Sequence, residues 1–206
     1  MLAIAGGKGG VGKTTTALGI ARAWARQRRR PLVVEADTDM PDLAAVTGVP
    51  VEPGIDTVAT GADVDRVAHP EPAGTGVGVV PAAPGANVGP ALDRLTTDRP
   101  VVLDCPAGAS DAAVTPMMAA DRILVVTTPD EAAIRDTVKT AELARAVDTP
   151  VVGVVLTRTE TAPDGLSNVV GSPVEATVPA VAPPPLTASA VRATYDRLAA
   201  HLRGKD

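Results

Sequence analysis

The stretch GGKGGVGKTTT, residues 6 to 16, sets five glycines and two lysines ahead of three threonines. Glycine lets a backbone wrap so that successive N–H groups face inward, a geometry suited to an anion. Gly7 to Thr14 fits the pattern G-x-x-x-x-G-K-[ST], in which Lys13 would reach the β and γ phosphates of a nucleotide and the Thr14 hydroxyl would ligate Mg²⁺. A glycine turn alone explains neither the lysine nor the threonine. Lys8 and Lys13 repel each other in so tight a loop unless something strongly anionic lies beside them. The only other lysines are Lys139 and Lys205.

A phosphate site of this kind needs a carboxylate at the end of a neighbouring strand. VVLDCPAG, residues 101 to 108, carries Asp104 to such a place, where it can hold Mg²⁺ through water, with Pro106, Ala107 and Gly108 forming a turn that could sense the γ phosphate. PLVVEADTDMPDL, residues 31 to 43, ends another apolar run with Glu35, Asp37, Asp39 and Asp42. Acids this close are costly unless solvated, paired or near a cation. For Asp39 and Asp42 a solvated loop is the competing account. Cys105 reads as a small residue beside the acid rather than a nucleophile, because the only histidines, His69 and His201, are remote in sequence.

The elements that must hold these residues follow from periodicity. Leu2 to Ala5, Pro31 to Ala36, Gly76 to Pro81, Pro100 to Asp104, Arg122 to Thr128 and Val151 to Thr157 read as short buried strands. Thr14 to Arg28 reads as a helix, with Ala17, Ile20, Ala21, Trp24 and Ala25 on one face. Asp130 to Val147, with Ile134, Val138 and Ala141, and Thr187 to Arg203, with Val191, Tyr195, Leu198 and Leu202 facing a core, read as two more. Strand and helix in alternation imply an α/β fold of three layers: a doubly wound, mainly parallel sheet flanked by helices. Residues 48 to 100 are rich in Gly, Pro and Ala, with short helices and loops expected around one strand, and PAVAPPPL, residues 179 to 186, reads as an extended connector. The expectation is a single P-loop domain over residues 1 to 206.

Composition narrows the function classes. With 45% apolar residues but only 1% aromatic, the core must be built from Val, Ala, Leu and Ile, which suits a parallel sheet. A net charge of −5 supplies no global attraction for nucleic acid or an anionic membrane. One cysteine excludes an intramolecular disulfide. The start MLAIAGG lacks the features of a signal peptide, and no run approaches the ~18 apolar residues of a membrane span, so a cytoplasmic protein is expected.

GKGGVGKT with a lysine directly after the first glycine, the acidic strand end EAD and DCPAG together resemble the deviant Walker A ATPases of the MinD/ParA family. GVGVVPAAPG, ADRILVVTTPDEAAIRDTVKTAELAR and VVGVVLTR are similar to that family's later elements, in the same order. The resemblance implies ATP and Mg²⁺ as ligands and the P-loop fold. It implies an ATP-bound sandwich homodimer in which Lys8 reaches the partner subunit's nucleotide while Lys13 serves its own. It also implies a nucleotide cradle of Gly7, Lys8, Gly9, Gly10, Val11, Gly12, Lys13, Thr14 and Thr15. Asp37 would orient the attacking water, Thr14, Asp37 and Asp104 would stand on the metal side, and Thr157 and Arg158 would lie beside the purine. The implied activity is an ATPase that acts as a switch in cell division or chromosome partitioning, with an unidentified protein partner or cargo.

This chain departs from the family in carrying Glu35 where relatives often have aspartate. The CxxC pair of iron-sulfur assembly relatives is missing, as is a basic amphipathic segment of the kind that anchors relatives to membranes. RQRRR, residues 26 to 30, lies at a helix end where cations favour the dipole, and a nonspecific DNA patch is the competing account of it. Two other function classes stand beside the switch: an ATP-dependent metabolic synthetase or kinase, and a nucleotide-gated scaffold with little turnover.

Overall fold

The computed structural model describes residues 1–203. The chain opens with β1 (Leu2–Gly6), α1 (Lys13–Arg26) and β2 (Leu32–Glu35). Three short helices follow, α2 (Leu43–Thr47), α3 (Ile55–Ala59) and α4 (Val64–Val67), then the strands β3 (His69–Pro70) and β4 (Gly78–Val80). Next come α5 (Val88–Arg94), β5 (Val101–Ala107), α6 (Asp111–Ala119) and β6 (Arg122–Thr127). The chain continues with α7 (Glu131–Ala146), β7 (Val151–Thr157), α8 (Leu166–Val170), β8 (Val174–Val178) and α9 (Ser189–Arg203).

The strands form one sheet in the order β3-β4-β2-β5-β1-β6-β7-β8, and only the β3–β4 pair is antiparallel. This is the expected doubly wound α/β architecture. Side chains alternate across it: Leu2 and Ile4 of β1 join the apolar layer under α1, α2 and α9, while Ala3 and Ala5 join the layer under α3 to α8. Burial of a Val, Leu or Ile side chain is worth about 1.5–3 kcal/mol, so this double layer is what fixes the strand ends in register.

Each of the six strands read from sequence is present, with ends moved by a few residues. β5 corrects one expectation, because it runs on through Pro106 to Ala107 instead of turning after Asp104. Its pairing with β1 is irregular there, and an irregular ladder position tolerates a residue without an N–H. The turn begins at Gly108, at φ +87°, whose N–H donates to the Gly6 carbonyl at 2.9 Å.

β3, β8, α6 and α8 carry no strong sequence signal. β3 has two residues, β8 is a half-buried edge strand, and α6 contains Pro116. The last helix begins at Ser189, after a single 3-10 turn at Pro185–Thr187. Val191, Tyr195, Leu198 and Leu202 are all buried as expected. Tyr195 lies flat on α1: a Cβ built on Gly19 would sit 2.4 Å from its ring, and its hydroxyl hydrogen-bonds Thr16 Oγ1 at 3.1 Å.

Candidate nucleotide site

The loop between β1 and α1 is shaped by close approach as much as by turning. A Cβ on Gly7 would lie 2.2–2.5 Å from the backbone of Asp136 and Thr137, so the loop presses directly on α7. Gly10 and Gly12 have φ of +75° and +97°, a region that L side chains rarely adopt. Gly12 caps α1 without a side-chain hydrogen bond. The first N–H groups of the helix are therefore left to an external acceptor, and the dipole makes an anion the favoured one. Lys13 is only 8% exposed, and its stem passes close to Gly6, where a built Cβ would meet Lys13 Cδ at 3.3 Å.

Opposite this loop stand the carboxyl ends of β2 and β5. Glu35 and Asp104 are direct register partners, and their carboxylates together with that of Asp42 offer oxygens all within 4.8 Å of one another. Thr14 Oγ1 donates to Asp42 Oδ1 at 3.0 Å. Asp104 is 2% exposed and its Oδ1 has no hydrogen-bond partner. Burial pushes the Asp104 carboxyl up to about 7, the charges of Asp42 and Asp37 adding to the effect, while the Thr14 hydroxyl and the Lys13 charge oppose it. Burial likewise raises Glu35 to about 8, helped by Asp104 and opposed by backbone N–H groups of Leu43 and Asp37. Three crowded carboxylates, one with an orphaned buried oxygen, beside a threonine hydroxyl form a donor set that fits a hard divalent cation.

The sequence expectation for the metal side named Thr14, Asp37 and Asp104. The structure places Asp37 beside this cluster rather than in it: Asp37 is half-buried and its Oδ1 accepts the Met40 N–H at 3.0 Å. Glu35 and Asp42 complete the triplet with Asp104 instead. Asp42 had a legible signal, since an aspartate after proline and before Leu-Ala-Ala-Val starts a helix. Asp39 is exposed and lines neither of the cavities described next.

Two adjoining cavities open at this end of the sheet, where ligands of open α/β folds bind. One, of about 300 Å³, is lined by the loop from Gly9 to Thr15 together with Asp37, Met40, Asp42 and Ala107. The second, of about 330 Å³, shares Gly12, Thr15 and Arg158 with it and runs along Val11, Thr157 and the segment from Val178 to Pro185. Thr157 and Arg158 both line this second cavity, and both side chains are engaged by the loop. The Thr157 hydroxyl donates to the Val11 carbonyl at 2.6 Å, and Arg158 donates to the Gly10 carbonyl at 2.6 Å. The proline-rich segment, read from sequence as a mere connector, forms the far wall. Pro179, Pro183 and Pro185 in that wall carry no N–H.

Lys8 is exposed. It lies near enough to Asp130, the N-cap of α7, to help hold that carboxyl below its usual range, after the larger effects of the Thr128 hydroxyl and the Ala133 N–H. A larger cavity, about 570 Å³, lies at the opposite pole beside Met1, Trp24 and Arg122 and has no phosphate cradle. Part of the RQRRR run is spent on local contacts: Arg26 pairs with Asp196 at 2.6 Å, and Arg29 stacks over Trp24 at 5.3 Å. No helix among the described residues is long and apolar enough to cross a membrane.

Comparison with known proteins matches residues 2–177 to the CobQ/CobB/MinD/ParA nucleotide binding domain family. An uncharacterized ATP-binding protein of Methanocaldococcus jannaschii is 31% identical over 170 residues, covering 77% of this chain and 64% of that protein. The septum site-determining protein MinD of Synechocystis is 26% identical over 174 residues, covering 77% of this chain and 64% of that protein. The chain spans less than two thirds of the length of these curated relatives. Among solved structures, MinD of Pyrococcus horikoshii, complexed with Mg-ADP, superposes with a TM-score of 0.83 at 23% identity, covering 98% of this chain and 94% of that one. Cobyrinic acid a,c-diamide synthase of Mycobacterium smegmatis, with a bound ATP analog and magnesium, gives 0.75 at 23% identity over 98% and 93% of the two chains. The family match runs over residues 2–177, from the first strand through the glycine loop and both acidic strand ends, and the chain belongs to the CobQ/CobB/MinD/ParA nucleotide binding domain family.

Proposed function

We propose that this chain is a MinD/ParA-like ATPase that binds ATP with Mg²⁺, pairs with a second copy across the nucleotide and hydrolyses ATP as a molecular switch for spatial positioning in cell division or chromosome partitioning. One observation carries the reading: the buried, unpartnered Oδ1 of Asp104 lies beside Thr14 and Lys13 at the mouth of a glycine loop whose helix N-terminus is uncapped. An apolar core has no use for that arrangement, and a magnesium-bound triphosphate answers every part of it.

Thr14, Asp104 and their acidic neighbours would hold Mg²⁺, which would neutralise charge between the phosphates. The loop N–H groups and Lys13 bind and orient the phosphate chain. Asp37, lining the phosphate cavity, holds the attacking water and takes its proton. Lys8, exposed at the loop surface, is free to reach a second copy's nucleotide, so hydrolysis would remove the anion joining two subunits.

The test is calorimetry with ATP, ADP and GTP in the presence of magnesium, followed by size exclusion of Asp37→Ala with ATP. ATP binding and a trapped dimer that Lys8→Ala abolishes are expected. A chain indifferent to all three nucleotides sinks the reading. The structural likeness to the diamide synthase supports a second one, an ATP-dependent metabolic synthetase on the same fold. A monomer that turns over ATP only when a small carboxylic acid is added would favour it.

A further inference from the structure

Glu35 ends β2 with its side chain turned inward and 1% exposed, and all the hydrogen bonds recorded for its carboxylate come from the loop that follows. Oε1 accepts the Asp37 N–H at 3.2 Å, and Oε2 accepts the N–H groups of Asp42 at 3.0 Å and Leu43 at 2.8 Å. A residue on a rigid strand thereby grips a segment up to eight positions ahead. The start of α2 is unusual for the same reason. Its N-cap is Asp42, yet the Asp42 side chain makes no capping hydrogen bond. Glu35 satisfies the Leu43 N–H, and the Asp42 carboxylate turns instead to Thr14 at the nucleotide loop.

We propose that Glu35 is a positioning residue: it tethers residues 36 to 43 by three backbone N–H groups, takes over the capping of α2 from Asp42, and so frees Asp42 for the Thr14 side while holding Asp37 over the phosphate cavity. Side-chain length matters here. An aspartate is shorter by one carbon–carbon bond, about 1.5 Å, which turns the 2.8 Å contact with Leu43 into no hydrogen bond at all. The extra methylene of glutamate relative to aspartate is the part that closes the tether.

The consequence for turnover rests on the ATPase reading, whereas the tether itself does not. The test is amide hydrogen exchange, resolved by residue, on the whole chain and on Glu35→Ala and Glu35→Asp, with ATP affinity and turnover measured alongside. Both variants should speed exchange at Asp42 and Leu43 at least tenfold while the amides of β1 and β5 keep their protection. Turnover should fall at least tenfold, with ATP affinity measured in the absence of magnesium changed less than threefold, a split that a merely structural residue does not produce. Unchanged exchange at Asp42 and Leu43 overturns the proposal, as does a uniform rise across β1 and β5. Full turnover in Glu35→Asp overturns the claim about length. Were the wild-type chain to neither bind nor hydrolyse ATP, the functional reading would fail while the exchange result still decided the tether.

Discussion

Glu35 and Asp104 stand side by side as register partners in β2 and β5, two buried acids at the sheet end that faces the glycine loop. Burial and mutual repulsion raise Glu35 to about 8, and burial raises Asp104 to about 7. Each therefore binds its proton more tightly in the folded chain than in the unfolded one, where carboxyls titrate near about 4. Folding stability should fall as pH rises from about 4 through about 8. The unliganded protein is expected to melt several degrees higher near pH 6 than near pH 9, as read by a thermal-unfolding series. Asp104→Asn should flatten that slope. Magnesium with ATP should flatten it too, because the cation favours the ionised acids.

Lys13 is nearly buried beneath the loop and near Asp104. Hydrogen bonds to charged groups contribute about 1.5–3 kcal/mol, so Lys13→Ala should weaken ATP binding by about 10- to 150-fold in a fluorescent-nucleotide titration. Thr14→Ala should remove most of the magnesium dependence of that binding and leave the melting temperature of the free protein close to wild type.

Gly7 and Gly9 make opposite predictions although they are two residues apart in one loop. A methyl on Gly7 meets the Asp136 carbonyl carbon at 2.2 Å, whereas one on Gly9 meets nothing within 4 Å. Overpacking costs about 1–3 kcal/mol, so Gly7→Ala should lower the denaturation midpoint clearly. Gly9→Ala should leave it unchanged.

Gly19 of α1 and Tyr195 of α9 approach so closely that a Cβ on Gly19 would sit 2.4 Å from the ring. Gly19→Ala should displace the ring and cost about 1–3 kcal/mol in chemical denaturation. Tyr195→Phe keeps the ring but loses the bond to Thr16, for a cost of about 1 kcal/mol. Gly19→Ala should also disturb the second cavity, which Tyr195 lines.

Local rules made the glycine loop, the α1 helix and Asp104 legible in the sequence, because each is a short pattern whose chemistry is complete within a few residues: G-x-x-x-x-G-K-T, a 3.6-residue stripe, and an acid at the end of an apolar run. The sheet order, the pressing of Gly7 on α7, and the choice of Glu35 and Asp42 over Asp37 beside Asp104 came only from tertiary structure. Those depend on which distant backbones meet. A carboxylate's role is set by the N–H groups and charges that surround it, and for Glu35 these arrive from residues 37, 42 and 43 folding back over the end of its own strand. The proline-rich wall at 179 to 185 is the same case, since its composition marks an extended segment but only its placement across from Val11 and Thr157 turns it into one side of a cavity.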